Sequence, residues 1–448
     1  IVCCSKGSSY EHIFDKAIDI TENDTFRLLK LDGVKMSRRI RFFIHVMVTS
    51  HFENLKEIEE YNQLKVLNAF KKQKLSATDF SWTTGYGYGD FGREKLERIY
   101  CDIFKAKDAI VRQEITCGTH AISLALQGNL LPGDEFIYIT GTPYDTLLKV
   151  IGISGDEKGT LLDYGIKYDK VDLVNNEIDV ETVLSKINSK TKLLAIQRSP
   201  GYSSRRCISI SELKTVINKI KSKFPDIIIM IDNCYCEFVE KKEPLEVGAD
   251  IVVGSLLKNL GAGITLNGGY IVSNSNDIIE SISNRLTSPG LGKHVGVSFG
   301  TTRAIIQGLY FAPHIVLEAV KSAILVSYIF EKLGYKTIPK YNEKRSDIIQ
   351  VITLNDENKV IDFCRAIQEF CCVDSHVVPY PWDMPGYTDK IIMASGSFID
   401  GSSIELSADG PLREPYNVYY QGGLNFYQTK IALINVLNIF YDKKYINL

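Results

Sequence analysis

The sequence predicts an α/β fold, with a large domain built on a mainly parallel sheet and a smaller α+β domain at the C-terminus. From about residue 80 to 320, short apolar runs that end in Gly, Asp or Ser alternate with helix-like stretches. This alternation is typical of parallel strands connected by helices. The chain has 448 residues, which at roughly 150 residues per unit allows about three structural units.

Composition and charge exclude several classes of protein. The chain holds 52 Lys+Arg against 54 Asp+Glu, so its formal net charge is −2. Without a basic excess, we expect no nucleic-acid partner. Apolar stretches such as residues 42–48 are shorter than the roughly 18 to 20 residues that span a bilayer, so we expect no membrane segment. The cysteines show no CxxC spacing, which predicts no metal site and reduced thiols in a cytoplasmic protein.

The first two units are predicted from apolar periodicity. Residues 1–80 are assigned to an N-terminal helical arm, because Leu55, Ile58 and Tyr61 recur at three-residue steps on one helical face. The large domain is assigned to residues 81–320. Its strands are predicted at residues 136–140, 193–197, 227–232 and 251–254, with a helix at residues 210–223.

The third unit, residues 321–448, is predicted to be the small domain. A long helix from about residue 302 to 333 leads into it. The run IIQVITL at residues 348–354 favours a strand, and residues 358–370 favour a helix. These two patterns predict an α+β arrangement.

One glycine pattern resembles a dinucleotide-binding motif but lacks its structural context. Gly87, Gly89 and Gly92 match the dinucleotide-binding spacing GxGxxG, but that motif needs an apolar strand directly before it. Here the preceding residues 79–84 read DFSWTT, and bulky aromatic residues lie between the glycines. We therefore predict no dinucleotide site at this position.

Three other features carry chemistry. Gly118 and Thr119 open an apolar helical run, where free backbone N–H groups and a hydroxyl could hold a phosphate. Asp232 ends an apolar strand, and the crevice of an open parallel sheet lies beyond such strand ends. Lys258 follows the next strand, which ends in Ser255. Taken singly, each has an ordinary alternative: a helix cap for the first two and a surface lysine for the third.

Together these features are the groups that a pyridoxal phosphate enzyme needs. Lys258 could form the Schiff base, its amine kept neutral by desolvation. Asp232 could hold the protonated ring nitrogen. Ser255 could add a hydroxyl to the phosphate site.

Longer stretches resemble a known family. Residues 231–272 resemble fold-type I pyridoxal phosphate enzymes of the cystathionine and methionine γ-lyase group, in which VDNTY, ELGAD and Ser-x-x-Lys recur. The chain is most similar to the branch known as aluminium resistance protein, or methionine γ-lyase family protein. The stretches that carry this closer resemblance are TTGYGYGDFGREKLE (83–97), CGTHAISLAL (117–126), GDEFIYITGTPYDTL (133–147), IQRSPGY (196–202) and IELSADGPLREPYNVYYQGGL (404–424).

The resemblance implies a role for each matched residue. Lys258 would bind the cofactor and move the Cα proton, Asp232 would pair with the ring nitrogen, and Tyr144 would stack on the ring and pass a proton to the leaving group. Arg413 is the candidate for the substrate carboxylate. The remaining assignments are phosphate contacts from Gly118, Thr119 and Ser255, and positions near the ring or substrate for Gln197 and Arg198.

The chain also departs from the family. Cys117 stands where the family usually has Ser, and Leu257 stands where the γ-lyases often have Thr, so two phosphate contacts are in doubt. The γ-lyases share their sites between subunits, which implies a homodimer or homotetramer here. Tyr86, Tyr88 and Arg93 occur at a different spacing from the family's Tyr-x-Arg pair.

The function expected from these residues is pyridoxal phosphate-dependent elimination on an amino-acid substrate, as in methionine γ-lyase or cystathionine lyase. Other chemistry of the same cofactor, such as transamination, stays open because the fold does not decide the reaction. A second alternative is a non-catalytic aluminium-tolerance or aluminium-binding protein that retains the fold.

Overall fold

The computed structural model describes residues 52–384 and 387–446. Its first element is helix α1 (Glu53–Lys72), which packs against the long helix α8 (Thr301–Lys332) and helix α2 (Phe91–Phe104). The helical periodicity of Leu55, Ile58 and Tyr61 is therefore confirmed. Most of the predicted arm, residues 1–51, lies outside the described residues.

A seven-stranded sheet forms the centre of the first part of the described chain. Its strand order is β1-β7-β6-β5-β4-β2-β3. All neighbouring pairs are parallel except those that involve β7, which runs opposite to β1 and β6. The mainly parallel sheet is thus confirmed. Its strands are β1 (Asp108–Arg112), β2 (Glu135–Tyr138), β3 (Lys167–Lys170), β4 (Thr191–Gln197), β5 (Ile228–Asp232), β6 (Ile251–Ser255) and β7 (Gly269–Ser273).

Helices cover both faces of this sheet, which is why its strands read as continuous apolar runs rather than alternating ones. Helix α6 has the predicted bounds, and it begins with a capping box in which Ser209 and Glu212 bond each other's backbone N–H groups. Helices α3, α4 and α7 pack on one face, and α2, α6 and α8 on the other. The connecting helices are α3 (Gly118–Asn129), α4 (Asp145–Ile151), α5 (Val180–Lys186), α6 (Ile210–Lys223) and α7 (Asn276–Leu286).

Helix α8 is a long apolar helix, and an apolar stretch of this length was not expected from the sequence. Its length and composition would allow it to cross a membrane, although the sequence was expected to hold no such stretch. However, 67% of its most apolar window is buried inside the protein. Such burial is typical of a core helix in a soluble fold, because the apolar surface is already covered.

A five-stranded antiparallel sheet, in the order β10-β11-β12-β9-β8, forms the smaller C-terminal part. Helix α9 (Glu357–Gln368) packs on it, and helix α10 (Phe426–Asp442) packs on α9 and on α8. This confirms the α+β prediction. The boundary at residues 320 and 321 falls inside helix α8, so the three-unit division stays a prediction. The strands are β8 (Lys336–Ile338), β9 (Gln350–Thr353), β10 (Ile391–Ala394), β11 (Ser407–Pro411) and β12 (Asn417–Gln421).

The topology brings distant residues to one edge of the large sheet. Gln197, Asp232 and Ser255 are the last residues of β4, β5 and β6, which are adjacent and parallel. Strands β1 and β2 end at the same edge, and the chain leaves them towards α3 and α4. The carboxyl ends of parallel strands in an open sheet are where ligand crevices form.

Candidate active site

A cavity of about 250 Å³ lies at this edge of the sheet. It is lined from the start of α3, the start of α4, the ends of β4 to β6, and the C-terminal part of the chain. Seven of the nine predicted site residues line it, although they are far apart in the sequence. They are Gly118, Thr119, Tyr144, Gln197, Asp232, Ser255 and Lys258.

The N-terminus of α3 forms one wall. Cys117 caps the helix, and its sulfur accepts a hydrogen bond from the N–H of His120 at 3.4 Å. A Cβ atom at Gly118 would lie 3.1 Å from the sulfur of Cys234 and 3.5 Å from the Cβ of Ser255. Glycine therefore lets the strand end approach the helix closely. The first N–H groups of the helix have no partner within it, so they can bind an anion.

Asp232 lies in the floor of the cavity and is buried. Its Oδ1 accepts a hydrogen bond from the N–H of Cys234 at 3.1 Å. Burial raises the pKa of Asp232, while the charge of Lys258 opposes that rise. A carboxylate in such surroundings gains most from a cationic partner, such as a protonated ring nitrogen.

Lys258 points its amine at the ring of Tyr235, with Nζ 3.8 Å from the ring centroid. Burial of the amine acts to lower its pKa, but the groups around it, which include Cys234, Tyr235 and Asp232, raise the pKa of Lys258 above its ordinary value. Among these neighbours Asp232 is the carboxylate, and it favours the charged form of the amine. That the amine is kept neutral by desolvation stays a prediction.

Tyr144 and Thr119 are coupled. The Tyr144 hydroxyl lies 2.9 Å from the Thr119 hydroxyl, and Gln197 accepts a hydrogen bond from the Tyr144 N–H at 3.2 Å. Burial raises the pKa of Tyr144, so its phenol keeps the proton at neutral pH. A protonated phenol at the cavity wall can donate that proton. Gln197 thus fixes the backbone that carries Tyr144.

Ser255 and Leu257 lie on the phosphate side. The Ser255 hydroxyl accepts a hydrogen bond from the N–H of Leu257 at 3.1 Å, which leaves its own proton available. Leu257 lines the cavity and offers no hydroxyl. The doubt about a second hydroxyl contact at position 257 therefore remains, while the Ser255 contact is geometrically possible.

Arg198 lies outside the cavity lining, which corrects its prediction as a substrate-binding residue. Its guanidinium is fully buried and donates to the Ile208 carbonyl, to Asn233 and to Glu240 at 3.0, 2.7 and 3.1 Å. Residues along a strand alternate between its two faces, so the chain that directs Gln197 to the cavity directs the next residue away. Arg198 connects the end of β4 to the start of α6.

We expect Arg198→Ala to lower the free energy of unfolding by about 3 kcal/mol, because Glu240 loses its buried partner. Urea denaturation measures this loss. A matched control is Arg206→Ala, which removes a half-exposed pair with Glu212 and should cost about 1 kcal/mol or less. Unchanged stability with a raised KM for substrate would restore the binding role.

Arg413 lies at the rim rather than in the lining. Its guanidinium donates to Asp389 at 2.9 Å and to the Tyr202 carbonyl at 3.3 Å, and it is partly exposed. Because Tyr202 itself lines the cavity, Arg413 is one residue removed from it. A substrate carboxylate would have to replace Asp389.

Several lining residues were not predicted. Tyr235 lies three residues after Asp232, and this short spacing beyond a strand end was the available signal. Tyr202 and Asp409 come from a loop and from β11, and Tyr202 donates its hydroxyl proton to Asp409 at 2.9 Å. Both residues lie in stretches that resemble the family, residues 196–202 and 404–424, but neither was assigned a role.

The lining fits pyridoxal phosphate. The N-terminus of α3 at Gly118 offers N–H groups for an anion, Asp232 supplies a carboxylate for a pyridinium, and Lys258 supplies the primary amine that an aldehyde requires. These three groups approach one cavity from different sides. The residues that the structure brings together therefore match the functional groups of the cofactor.

Known proteins are similar to this chain in sequence and in fold. The family model for methionine gamma-lyase matches residues 40–441. The uncharacterized protein YnbB of Bacillus subtilis is 47% identical over 396 residues, which are 88% of this chain and 94% of that protein. The solved structure of a carbon-sulfur lyase involved in aluminum resistance, from Clostridium novyi, is 43% identical, with a TM-score of 0.86. The similarity covers 97% of this chain and 100% of that one.

More distant structures share the fold alone. One is CalE6, a methionine gamma lyase from Micromonospora echinospora, with 15% identity and a TM-score of 0.53. The similarity covers 77% of this chain and 84% of that one. The chain therefore has the fold of fold-type I pyridoxal phosphate enzymes, as the resemblance implied. Since the family model covers most of its length, this protein belongs to the methionine gamma-lyase family.

Proposed function

We propose that this protein is a pyridoxal phosphate-dependent lyase that breaks a carbon–sulfur bond of an amino acid. The observation that supports this most is the meeting of Lys258, Asp232 and the α3 N-terminus in one cavity. Each has an ordinary explanation alone. Their convergence from separate strand ends is hard to explain without a ligand that carries an aldehyde, a basic ring nitrogen and a phosphate.

When bound, pyridoxal phosphate supplies an electron sink for the charge that develops at the substrate Cα. Lys258 would hold the cofactor and move the Cα proton. Asp232 would keep the ring nitrogen protonated. Gly118, Thr119 and Ser255 would hold the phosphate, and Tyr144 would donate its phenol proton to the departing sulfur. With one water consumed, the products would be a thiol, a 2-oxo acid and ammonia.

The direct test is spectroscopic and then chemical. Purified protein given pyridoxal phosphate should develop the visible absorption of the bound cofactor. The coloured protein should then release thiol and 2-oxo acid from methionine, cystathionine or cysteine. A protein that stays colourless and takes up no cofactor contradicts the cofactor assignment. Transfer of the amino group without thiol release would instead favour transamination.

Arg413 is proposed to bind the substrate carboxylate by exchanging Asp389 for it. We expect Arg413→Ala to raise KM about 10- to 100-fold with a smaller change in kcat, since hydrogen bonds between charged groups contribute roughly 1.5–3 kcal/mol. Asp389→Asn should lower KM a few-fold, because the guanidinium loses its competing partner. Steady-state kinetics on both variants measures these changes in KM. A KM that Arg413→Ala leaves unchanged would show that Arg413 does not bind the substrate carboxylate.

Assembly into a homodimer or homotetramer is a proposal from the family resemblance. Tyr86 and Tyr88 support it, since they are 73% and 60% exposed and so are available to a second subunit. Arg93 is not available in the same way. Its guanidinium donates to the carbonyls of Gly87 and His294 within the chain, at 2.9 and 3.3 Å.

The aluminium-binding alternative has no observation in its favour. Within residues 52–384 and 387–446, no three His, Cys, Asp or Glu side chains are grouped so that they could hold a metal ion. Aluminium would require hard oxygen ligands. We therefore advance the lyase as the single proposed function.

A further inference from the structure

A second and larger cavity, of about 740 Å³, adjoins the candidate active site. Six residues belong to the walls of both cavities: Tyr202, Tyr235, Lys258, Tyr387, Gly401 and Asp409. The larger one extends from Lys258 and is lined mainly by the C-terminal part of the chain. A substrate whose amino group lies at Lys258 would direct its side chain into this space.

Asp409 stands where the two cavities meet. It lies on β11 and is 6% exposed. The Tyr202 hydroxyl and the Gln421 amide both donate to its Oδ2, at 2.9 and 2.8 Å. Among the described residues, its Oδ1 has no hydrogen-bond partner. Two donors therefore fix the carboxylate, and one oxygen remains able to accept a hydrogen bond from a ligand.

Asp409 is ionised at neutral pH. Burial raises the pKa of Asp409 to about 6, while Tyr202 and Gln421 act against this rise by hydrogen-bonding the carboxylate. Tyr202 and Gln421 both donate to Oδ2, and within the part of the chain that the structure describes no third donor reaches Oδ1. Oδ1 is not among the buried atoms that lack a partner, so it is open to the cavities that Asp409 lines. A ligand in the cavity can therefore donate to it.

The walls of the two cavities together carry more negatively charged than positively charged side chains. In the described lining, Lys258 is the single cation, whereas five aspartates are present. Arg413, at the rim, is already paired with Asp389. Such a field attracts a cationic group and repels an anionic one. The aspartates are Asp145, Asp232, Asp374, Asp400 and Asp409.

Tyrosine rings lie near Asp409 as well, and Tyr202 and Tyr387 line both cavities with it. The Tyr202 ring lies 5.6 Å from that of Tyr387 and 5.0 Å from that of Tyr419, measured between centroids. Faces of tyrosine rings attract cations, most strongly where water is excluded. Carboxylate and ring faces thus favour the same kind of ligand group.

We propose that Asp409 is a specificity-determining residue that binds an amino group on the substrate side chain. The substrate class is then an amino acid whose side chain carries an amine beyond the sulfur, in preference to a carboxylate there. This rests on the proposed function, because it takes Lys258 as the point where the substrate's own α-amine is bound. Tyr202 and Gln421 are positioning residues that orient the carboxylate.

Three cysteine derivatives of similar size test the proposal: S-(2-aminoethyl)-, S-propyl- and S-(carboxymethyl)-cysteine. Their dissociation constants are measured on the cofactor-loaded protein from changes in its visible spectrum, and kcat/KM from thiol release. The wild type should favour the aminoethyl over the carboxymethyl compound by about 100-fold. Asp409→Asn should reduce that ratio at least about 10-fold, since the amide can still accept a hydrogen bond but no longer attracts the ammonium or repels the carboxylate by its charge.

Asp400→Asn is the matched control. Asp400 lines the same cavity but is exposed, so its charge is screened and the ratio should change less than about 3-fold. A wild type that binds the three compounds equally, or prefers the carboxymethyl one, overturns the proposal even if Asp409→Asn does not fold. An equal effect of both variants also overturns it, because the preference would then not belong to Asp409.

The two proposals fail in different ways. Failure of the proposed function appears before any comparison of side chains, as a protein that takes up no cofactor. Failure of the Asp409 proposal appears in a coloured protein that binds amino acids without regard to side-chain charge. Binding is read from the spectrum, so the result stands even where no derivative is cleaved.

Discussion

Lys258→Ala should fold, yet show none of the visible absorption of covalently bound cofactor. Without the primary amine there is no group to attach the aldehyde or to move the Cα proton, so we expect activity to fall at least about 1,000-fold. Absorption spectroscopy and mass spectrometry after borohydride reduction measure the attachment. In the wild type, reduction should fix the cofactor to the peptide that contains Lys258.

Lys258→Arg is the control that separates charge from chemistry. It keeps a cation near Asp232 but has no primary amine, so its stability should resemble that of the wild type while covalent attachment is still lost. Attachment that persists in both variants would place the cofactor on another lysine. The assignment of Lys258 would then be wrong.

Asp232→Asn should give the second largest effect. The amide keeps the volume of the side chain but cannot stabilise a protonated ring nitrogen, so we expect kcat to fall roughly 100- to 1,000-fold. Cofactor affinity should weaken too, because a buried cation would lose its partner at a cost of about 3–5 kcal/mol. Turnover assays and cofactor titration at constant pH measure the two effects.

Asp250→Asn is the matched control for Asp232. Asp250 precedes the neighbouring strand β6, pairs with Lys221 and lies outside the lining of the candidate site. Its replacement should lower stability slightly and leave cofactor affinity unchanged. If both variants weakened cofactor binding alike, the effect of Asp232→Asn would come from the sheet and not from contact with the ring.

Strand patterns made much of the candidate site predictable. The runs before Gln197, Asp232 and Ser255 are apolar and end in polar residues, and parallel strands bring such ends to one edge. Helix α3 was predictable from its apolar run after Gly118. These signals are local because a buried strand or helix selects apolar residues within its own few positions. The pattern can therefore be read from the sequence.

Side-chain direction was not predictable in the same way. Arg198 follows Gln197 directly, yet its guanidinium turns to Glu240 behind the strand. Arg413 lies near the cavity but pairs with Asp389 across the loop. In both cases the partner is a carboxylate distant in the sequence. The choice of ion-pair partner depends on how the folded chain packs. The sequence shows which charged residues are present but not which of them form pairs.

The sequence by itself determined the parallel sheet, the order of its elements and the residues suited to a phosphorylated aldehyde cofactor, because periodicity and strand-end chemistry are local properties. Only the tertiary structure decided that Asp409 and Tyr202, far apart in the chain, join the cavity that Lys258 enters. The loops after β4 and β5, which carry Tyr202 and Tyr235, pack against β9 and β12 of the C-terminal sheet and bring these groups together. The charge that this packing places beside Lys258 is what favours a cationic side chain.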